Sequence, residues 1–143
     1  MNVTIRRTAI EDLEAVYILI CDLEDHHMDG DAFSEVFIKN LSDPNIFYFV
    51  AEINNRIVGF LSLHVQYILH HSKPTCEIQE LNIVTELRGS GIGGMLIEEA
   101  EKIARKLNLE EIELTTKIHR NKAHNFYRKY AFEHTHNKFV KKL

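Results

Sequence analysis

The sequence predicts one α+β domain over residues 1–143, with a mixed β-sheet flanked by helices in the order β-α-α-β-β-β-α-β-α-β. Helical and strand-like periodicities alternate along the chain without repeats or a linker. Three consecutive strand patterns lie between residues 46 and 84, with only short turns between them. A glycine-rich segment then leads into a long amphipathic helix. With 143 residues, of which 45% are hydrophobic, the chain can build a real core.

The N-terminal part of the chain has the pattern of one strand and two helices. Residues 3–7 alternate as a strand, and Thr8 followed by Glu11 has the pattern of a capping box. Apolar residues at helical spacing then predict a helix over residues 9–24. The next predicted segments are a polar loop over 25–31, a helix over 32–41 and a turn over 42–45.

The rest of the chain is predicted to complete the sheet. Aromatic and β-branched residues mark the strands, and Asn54-Asn55 is typical of a hairpin turn. Leu96, Ala100 and Ala104 share one face of the helix that follows the glycines. The predicted elements are strands over 46–53, 56–67 and 76–84, that helix, a strand over 112–118, a helix over 122–130 and a last strand over 132–141.

Composition and charge narrow the class of protein. A formal net charge of −4 argues against a protein that holds nucleic acid through its phosphates. No apolar run is long enough to cross a bilayer and no signal-peptide pattern is present, so no membrane association is predicted. Two cysteines are too few for a disulfide framework and indicate reduced thiols in a cytoplasmic protein.

Residues 81–94 carry the strongest functional signal. An apolar strand ends in a short polar turn, and four glycines within residues 89–94 open a helix. Glycines let the backbone approach a ligand closely, and the unpaired N–H groups of a helix N-terminus favour an anion. The glycines match the dinucleotide pattern G-x-G-x-x-G, but they follow a β-meander, and no Lys-Ser/Thr pair follows as in a P-loop. We therefore expect a phosphate-bearing ligand on this turn.

Counted from Arg88, the segment Arg88-x-x-Gly91-x-Gly93 resembles the acetyl-CoA signature Q/R-x-x-G-x-G/A of the GNAT superfamily of N-acetyltransferases. The resemblance implies that acetyl-CoA is the cosubstrate and that backbone N–H groups of the turn hold its pyrophosphate. It also implies that the preceding strand binds the pantetheine arm. The implied residues are Leu81, Asn82, Ile83 and Val84 for the arm, and Arg88, Gly89, Ser90, Gly91, Ile92, Gly93 and Gly94 for the pyrophosphate.

A second segment resembles another motif of this superfamily, N-x-x-A-x-x-F-Y-x-x-x-G-F. It departs from that motif by one missing spacer after Asn121 and by Ala131 in place of the glycine. The resemblance implies that Tyr127 lies near the CoA sulfur and protonates the departing thiolate, and that Asn121 contributes to the cofactor site. A phenol, with a pKa of about 10, is a suitable proton donor to a thiolate. The matching residues are Asn121, Ala123, Phe126, Tyr127, Ala131 and Phe132.

The reaction also needs a base, because an ammonium group must lose a proton before its nitrogen can attack a thioester. Glu77 and Glu80 lie on the strand that leads into the glycine turn. In an ideal strand they face opposite sides, so only one reaches the acceptor unless a bulge intervenes. The family resemblance favours Glu77 first and Glu80 second. A solvated carboxylate is the alternative for each.

Nine histidines are more than expected for this length. His64, His70 and His71 lie close in sequence to Glu77, and His27 lies in the loop after the first helix, which in the GNAT superfamily often lines the acceptor site. These four are the candidates for substrate binding. Imidazoles near a carboxylate can also bind a divalent metal, for which His70, His71 and Glu77 are the candidates, although the spacing fits no standard zinc pattern.

Several further segments resemble the aminoalkylphosphonate N-acetyltransferases, namely residues 15–21, 41–45, 63–71, 77–81 and 123–127. This likeness implies acetylation of a small-molecule primary amine, with an aminoalkylphosphonate as the first choice. Aminoglycosides, polyamines and protein N-termini are alternative acceptors, and a non-catalytic CoA-binding module is the alternative from another class. Domains of this superfamily often pair, so a homodimer is expected.

Overall fold

The computed structural model describes all residues from Met1 to Leu143. Short 3₁₀ turns precede the first helix, join the third strand to the fourth, and follow the fourth strand. The chain divides into two compact units, 1–113 and 114–143, and a single domain over 1–143 stays a prediction. The elements are β1 (Thr4–Arg7), α1 (Leu13–Glu24), α2 (Gly30–Leu41), β2 (Ile46–Ile53), β3 (Arg56–Ile68), β4 (Lys73–Ile83), α3 (Ile92–Lys106), β5 (Ile112–Leu114) and α4 (Asn121–Lys129).

The five strands form one sheet in the order β1-β2-β3-β4-β5. The first four strands pair with their neighbours in antiparallel fashion, as the short predicted turns require. The fifth strand follows α3 and lies beside β4, which completes a mixed sheet. The predicted α+β class is therefore confirmed.

Helices cover both faces of the sheet. On one face, α1 and α2 pack over a core that includes Tyr48, Val50 and Phe60. On the other face, α3 packs against the central strands. A Cβ atom at Gly59 would lie 2.7 Å from Ile83 Cδ1 of β4 and 3.3 Å from Leu96 Cδ1 of α3, so the glycine leaves room for both side chains. The buried residues of α3 are Ile92, Gly93, Gly94, Leu96, Ile97, Ala100 and Ala104.

The first helix begins later than predicted. Residues 10–12 form a 3₁₀ turn, and the capping interaction is made by Asp12, whose carboxylate accepts the N–H of Ala9 at 2.8 Å. The Thr8 hydroxyl is buried without a partner, so the capping box predicted from Thr8 and Glu11 is wrong. Asp12 takes the place of the predicted pair, because the Asp12 carboxylate is also held by two hydrogen bonds from Arg6.

The last strand, predicted over residues 132–141, is absent. Residues 133–143 have no regular structure and each of them is exposed. A strand is stable only where its N–H and C=O groups pair with a neighbour and one of its faces is buried. An alternating sequence pattern does not by itself provide a neighbouring strand. The strand predicted over 112–118 is also shorter than predicted and ends at Leu114.

No helix of the chain combines the length and the apolar character that crossing a bilayer requires. Cys21 and Cys76 are both free thiols. Burial raises the pKa of the Cys76 thiol to about 11, so this group is not a nucleophile near neutral pH.

Candidate active site

A β-bulge in β4 changes the direction of the side chains near the candidate bases. Ser62 of β3 opposes Glu80. The next residue of β3, Leu63, opposes Ile78, so Gln79 is an extra residue in β4. Beyond the bulge, the alternation of β4 is therefore shifted by one position.

The bulge places both candidate bases on one face of the sheet. His64 opposes Glu77, just as Ser62 opposes Glu80. Ser62 and His64 share a face of β3 because they are two residues apart, and opposed residues of antiparallel strands share a face. Glu77 and Glu80 therefore face the same side, the side covered by α1 and α2.

Ser62 holds Glu80 at two points. Its hydroxyl accepts the Glu80 N–H at 3.0 Å and donates to Oε1 of the Glu80 carboxylate. Oε2 has no protein partner, so one carboxylate oxygen is anchored and the other can accept a proton. Sequence reasoning missed Ser62, although it is the only hydroxyl in the apolar run over residues 57–63 and is fully buried.

Glu80 lies in the wall of a half-open cavity of about 340 Å³, which is lined by residues of α1, α2, β2, β3 and β4 and of the loop before α2. Apolar and aromatic side chains form most of the wall. Asp29 and Glu80 are its only charged residues, and neither Glu77 nor any Lys, Arg or His contributes. The lining residues are Val16, Ile20, Met28, Asp29, Ala32, Phe33, Val36, Phe37, Tyr48, Phe60 and Glu80.

The glycine turn has conformations that require its glycines. Gly89 and Gly91 have φ angles of +80° and +93°, in the region that other residues rarely adopt. Gly91 caps α3 without a side chain, and Ser90 Oγ donates to the Leu87 carbonyl at 2.5 Å. The first N–H groups of α3 therefore have no partner and suit an anion, as a pyrophosphate requires. These donors belong to Ile92, Gly93 and Gly94.

Arg88 fastens the turn to α1. Its Nη2 donates to Asp22 Oδ2 at 2.8 Å and to Asn82 Oδ1 at 3.2 Å. Its Nε donates to the Ile83 carbonyl at 3.1 Å. Asn82 in turn donates to Asp22 Oδ2 and to the Leu19 carbonyl, both at 2.9 Å. The side chains of Arg88 and Asn82 thus position the turn, while the N–H groups of Ile92, Gly93 and Gly94 stay available for a ligand.

The strand before the turn has a largely open edge. β4 has eleven residues, whereas its neighbour β5 has three, so most of that edge has no paired strand. Unpaired N–H and C=O groups of such an edge bind extended ligands. Leu81, Asn82 and Ile83 end the strand and Val84 follows it, next to the turn.

In the unit formed by residues 114–143, Tyr127 lies in the last turn of α4. Its ring contacts those of Phe126 and Phe132, with centroid distances of 5.4 and 5.8 Å. Burial raises the pKa of the Tyr127 phenol above its usual range, so the group is protonated at neutral pH. Asn121 begins the helix, and its N–H donates to the His119 carbonyl at 3.0 Å.

The candidate histidines lie in two regions. His64 opposes Glu77 on the face that carries Glu80. His27 lies in the loop between α1 and α2, directly before Met28, which lines the cavity. These two stay candidates for acceptor binding because of their positions.

His70 and His71 form a separate group in the turn between β3 and β4, with ring centroids 4.4 Å apart. The His71 Nδ1 atom lies 3.8 Å from the Glu111 carboxylate, and its Nε2 atom lies 3.5 Å from that of Glu113. Potential metal-ligand atoms of His71, Glu111 and Glu113 lie within 4.8 Å of one another. The two carboxylates flank different ring nitrogens of His71. Glu77 is not part of this group.

A meander with a bulged strand, a glycine turn with unpaired N–H groups and a carboxylate at a cavity wall are together the features expected of an N-acetyltransferase. The chain belongs to the Acetyltransferase (GNAT) family, which it matches over residues 11–132. It is therefore an acetyltransferase enzyme with acetyl-CoA as its cosubstrate.

Individual relatives and solved structures are similar to this chain over nearly its whole length. The chain is 42% identical over 139 residues to the aminoalkylphosphonate N-acetyltransferase of Salmonella typhimurium, a match that covers 97% of this chain and 90% of the relative. A transcriptional regulator from Bacillus halodurans superposes with a TM-score of 0.90 and 25% identity, over 99% of this chain and all of that one. An aminoglycoside acetyltransferase from an uncultured soil metagenome superposes with a TM-score of 0.83 and 27% identity, over 99% of this chain and 96% of that one.

Proposed function

We propose that the protein transfers the acetyl group of acetyl-CoA to a small primary amine, with Glu80 as the base and Tyr127 as the acid. The observation that carries this proposal is the position of Glu80, which lies at the cavity wall and is held there by Ser62. Sequence reasoning favoured Glu77, and that carboxylate is absent from the cavity wall.

The proposed reaction is a direct transfer. The ammonium group gives a proton to Glu80, directly or through a water molecule. The neutral nitrogen attacks the thioester carbonyl, a C–N bond forms and the C–S bond breaks, and the nitrogen loses its second proton to water, from which the Tyr127 phenol is later reprotonated. The CoA thiolate then takes a proton from Tyr127, whose raised pKa keeps the phenol protonated until that step.

The proposed cofactor site has two parts. Backbone groups of Leu81, Asn82, Ile83 and Val84 bind the pantetheine arm along the open edge of β4. The turn over residues 88–94 binds the pyrophosphate through its free N–H groups, those of Ile92, Gly93 and Gly94 among them. Asn121 is proposed as a further residue of the cofactor site. The left-handed conformations of Gly89 and Gly91 support this role, because turns with such backbone conformations form anion-binding concavities.

An aminoalkylphosphonate is the acceptor that we propose first. Its support is the Salmonella typhimurium relative, which matches almost the whole chain. His27 and His64 are the proposed contacts of the phosphonate. The divalent metal, the homodimer and the cytoplasmic location stay predictions, and no step of the proposed reaction passes through a metal.

Thiol release from acetyl-CoA tests the proposal. The acceptor panel contains aminomethylphosphonate, 2-aminoethylphosphonate, an aminoglycoside, a polyamine and a peptide with a free N-terminus, each with and without a chelator. We expect Glu80→Gln to lower kcat/KM about a hundredfold or more, and the matched variant Glu77→Gln to change it little. Equal losses in the two variants would contradict the role of Glu80. Unchanged turnover in Tyr127→Phe would contradict the role of Tyr127, and no turnover with any amine would favour a binding module.

A further inference from the structure

The cavity beside Glu80 is built mainly from hydrocarbon. Four aromatic rings follow one another along it, with centroid distances of 6.3, 5.8 and 5.2 Å. Phe37, Tyr48 and Phe60 are almost fully buried and also belong to the core, so the row forms an apolar wall for an aromatic or aliphatic guest. The ring residues are Phe33, Phe37, Tyr48 and Phe60, and Val16, Ile20 and Met28 add aliphatic surface.

The charged groups of the cavity have one sign. Asp29 and Glu80 are both carboxylates, and no cationic side chain lines the wall. A phosphonate inside the cavity would meet two like charges in a partly desolvated space, which is unfavourable. An ammonium group meets an opposite charge at Glu80 instead. Within the cavity, the carboxylates therefore favour an uncharged body beside the amine, whereas the proposed phosphonate contacts, His27 and His64, are not among the lining residues.

The size of the cavity also favours an amine with a large apolar body. Its volume of about 340 Å³ lies at the lower end of the range of small-molecule pockets, roughly 300–1,000 Å³. Such a space holds a ring or a chain of several methylene groups. An aminoalkylphosphonate with one or two methylene groups leaves most of the apolar wall without a partner.

We infer that the enzyme also acetylates primary amines with an apolar body, in particular arylalkylamines. The body lies among the aromatic rings, and the nitrogen lies at Glu80. The inference rests on the proposed function, and the chemical step is the same. One ammonium proton passes to Glu80, the C–N bond forms, the C–S bond breaks, the nitrogen loses its second proton to water, and Tyr127 protonates the thiolate.

The test is thiol release with acetyl-CoA and a series of amines that differ only in their apolar part. Methylamine, propylamine, hexylamine and 2-phenylethylamine are compared with 2-aminoethylphosphonate. We expect kcat/KM to rise about threefold to fourfold per added methylene until the cavity is filled. For 2-phenylethylamine we expect a value at least tenfold above that of methylamine.

A variant that narrows the cavity completes the test. Ala32 is an exposed residue of α2 that lines the cavity, so Ala32→Phe fills space without disturbing the core. It should lower the ratio of kcat/KM for 2-phenylethylamine to that for methylamine at least fivefold. Ile38→Phe adds similar bulk on an exposed position of α2 outside the cavity and should leave the ratio unchanged.

The outcomes separate the two proposals. If 2-aminoethylphosphonate is acetylated while kcat/KM does not rise with chain length, the inference about apolar amines is wrong and the proposed function stands. If no amine of either kind releases thiol above buffer, both are wrong. A rise with chain length that Ala32→Phe leaves intact would also overturn the inference, because the chains would then bind elsewhere.

Discussion

Ser62 of β3 lies opposite Glu80 of β4, and the Ser62 hydroxyl binds both the N–H and the carboxylate of Glu80. Ser62 is fully buried, so water cannot easily replace it. The pair lies at the bulge formed by Gln79, where the side chains of β4 change direction. The orientation of the proposed base thus depends on one buried hydroxyl.

Removing that hydroxyl should affect both catalysis and stability. A hydrogen bond to a charged group contributes about 1.5–3 kcal/mol, so Ser62→Ala should lower kcat/KM about tenfold to a hundredfold. The variant also deprives the Glu80 N–H of a partner, which should lower the free energy of unfolding by about 1–3 kcal/mol. Steady-state kinetics and urea unfolding measure the two effects. Ser42→Ala, at an exposed serine after α2, is the control and should change neither. Wild-type kcat/KM in Ser62→Ala would show that the serine does not position the base.

The contact between Asp22 and Arg88 leads to a prediction about cofactor affinity. Asp22 Oδ2 receives hydrogen bonds from both Arg88 and Asn82, and it lies on α1, outside the proposed cofactor site. Asp22→Asn should therefore raise the KM for acetyl-CoA severalfold and change kcat little, because the turn loses an anchor. The Asp22–Arg88 pair is half exposed, so the free energy of unfolding should fall by less than about 1 kcal/mol. Asp25→Asn, three residues further along the chain, is the control. If the wild type, Asp22→Asn and Asp25→Asn have the same KM for acetyl-CoA, the prediction is wrong.

Local patterns predicted the element types well, because periodicity and turn residues are properties of short segments. The strand over residues 46–53 has the predicted bounds, and Asn54 and Asn55 both have positive φ angles, as a hairpin turn with these residues requires. The glycine turn was also recognisable, since Gly89 and Gly91 adopt conformations that disfavour other residues.

Features that depend on pairing across the sheet were not predictable. The alternation of β4 alone cannot reveal a bulge, because the extra residue is defined by the register against β3. The choice between Glu77 and Glu80 therefore had no physical basis in the sequence. Likewise, the partner of Arg88 lies 66 residues away in the chain. The absent last strand has the same cause, since a strand pattern does not specify a neighbour.

The ion pair between Arg6 and Asp12 should make stability depend on pH. Hydrogen bonds from Arg6 hold the pKa of the nearly buried Asp12 carboxyl below its usual range. A carboxyl with a lowered pKa stabilises the folded state above its unfolded pKa, and this contribution is lost as the pH falls through the folded pKa. Asp12→Asn should therefore lower the free energy of unfolding by about 2–3 kcal/mol at pH 7, and by less at pH 3. Urea unfolding at both pH values measures the difference, with the exposed Glu11→Gln as the control. A loss that is equal at pH 7 and pH 3 would contradict the charge-based explanation.

Ala131 ends α4 in a conformation that favours glycine. Its φ angle is +67°, and the N–H groups of Ala131 and Phe132 donate to the carbonyls of Arg128 and Tyr127, the two bonds of a Schellman motif. A left-handed conformation costs a residue with a Cβ atom roughly 1–2 kcal/mol relative to glycine, so Ala131→Gly should stabilise α4 by about 1 kcal/mol. Hydrogen exchange at the Phe132 amide measures the local effect, and thermal unfolding measures the global one. Ala123→Gly, inside the same helix, is the matched control and should destabilise α4 by about 1 kcal/mol. Faster exchange of the Phe132 amide in Ala131→Gly would contradict the prediction. It would show that the Schellman motif does not stabilise the last turn of α4, which contains Tyr127.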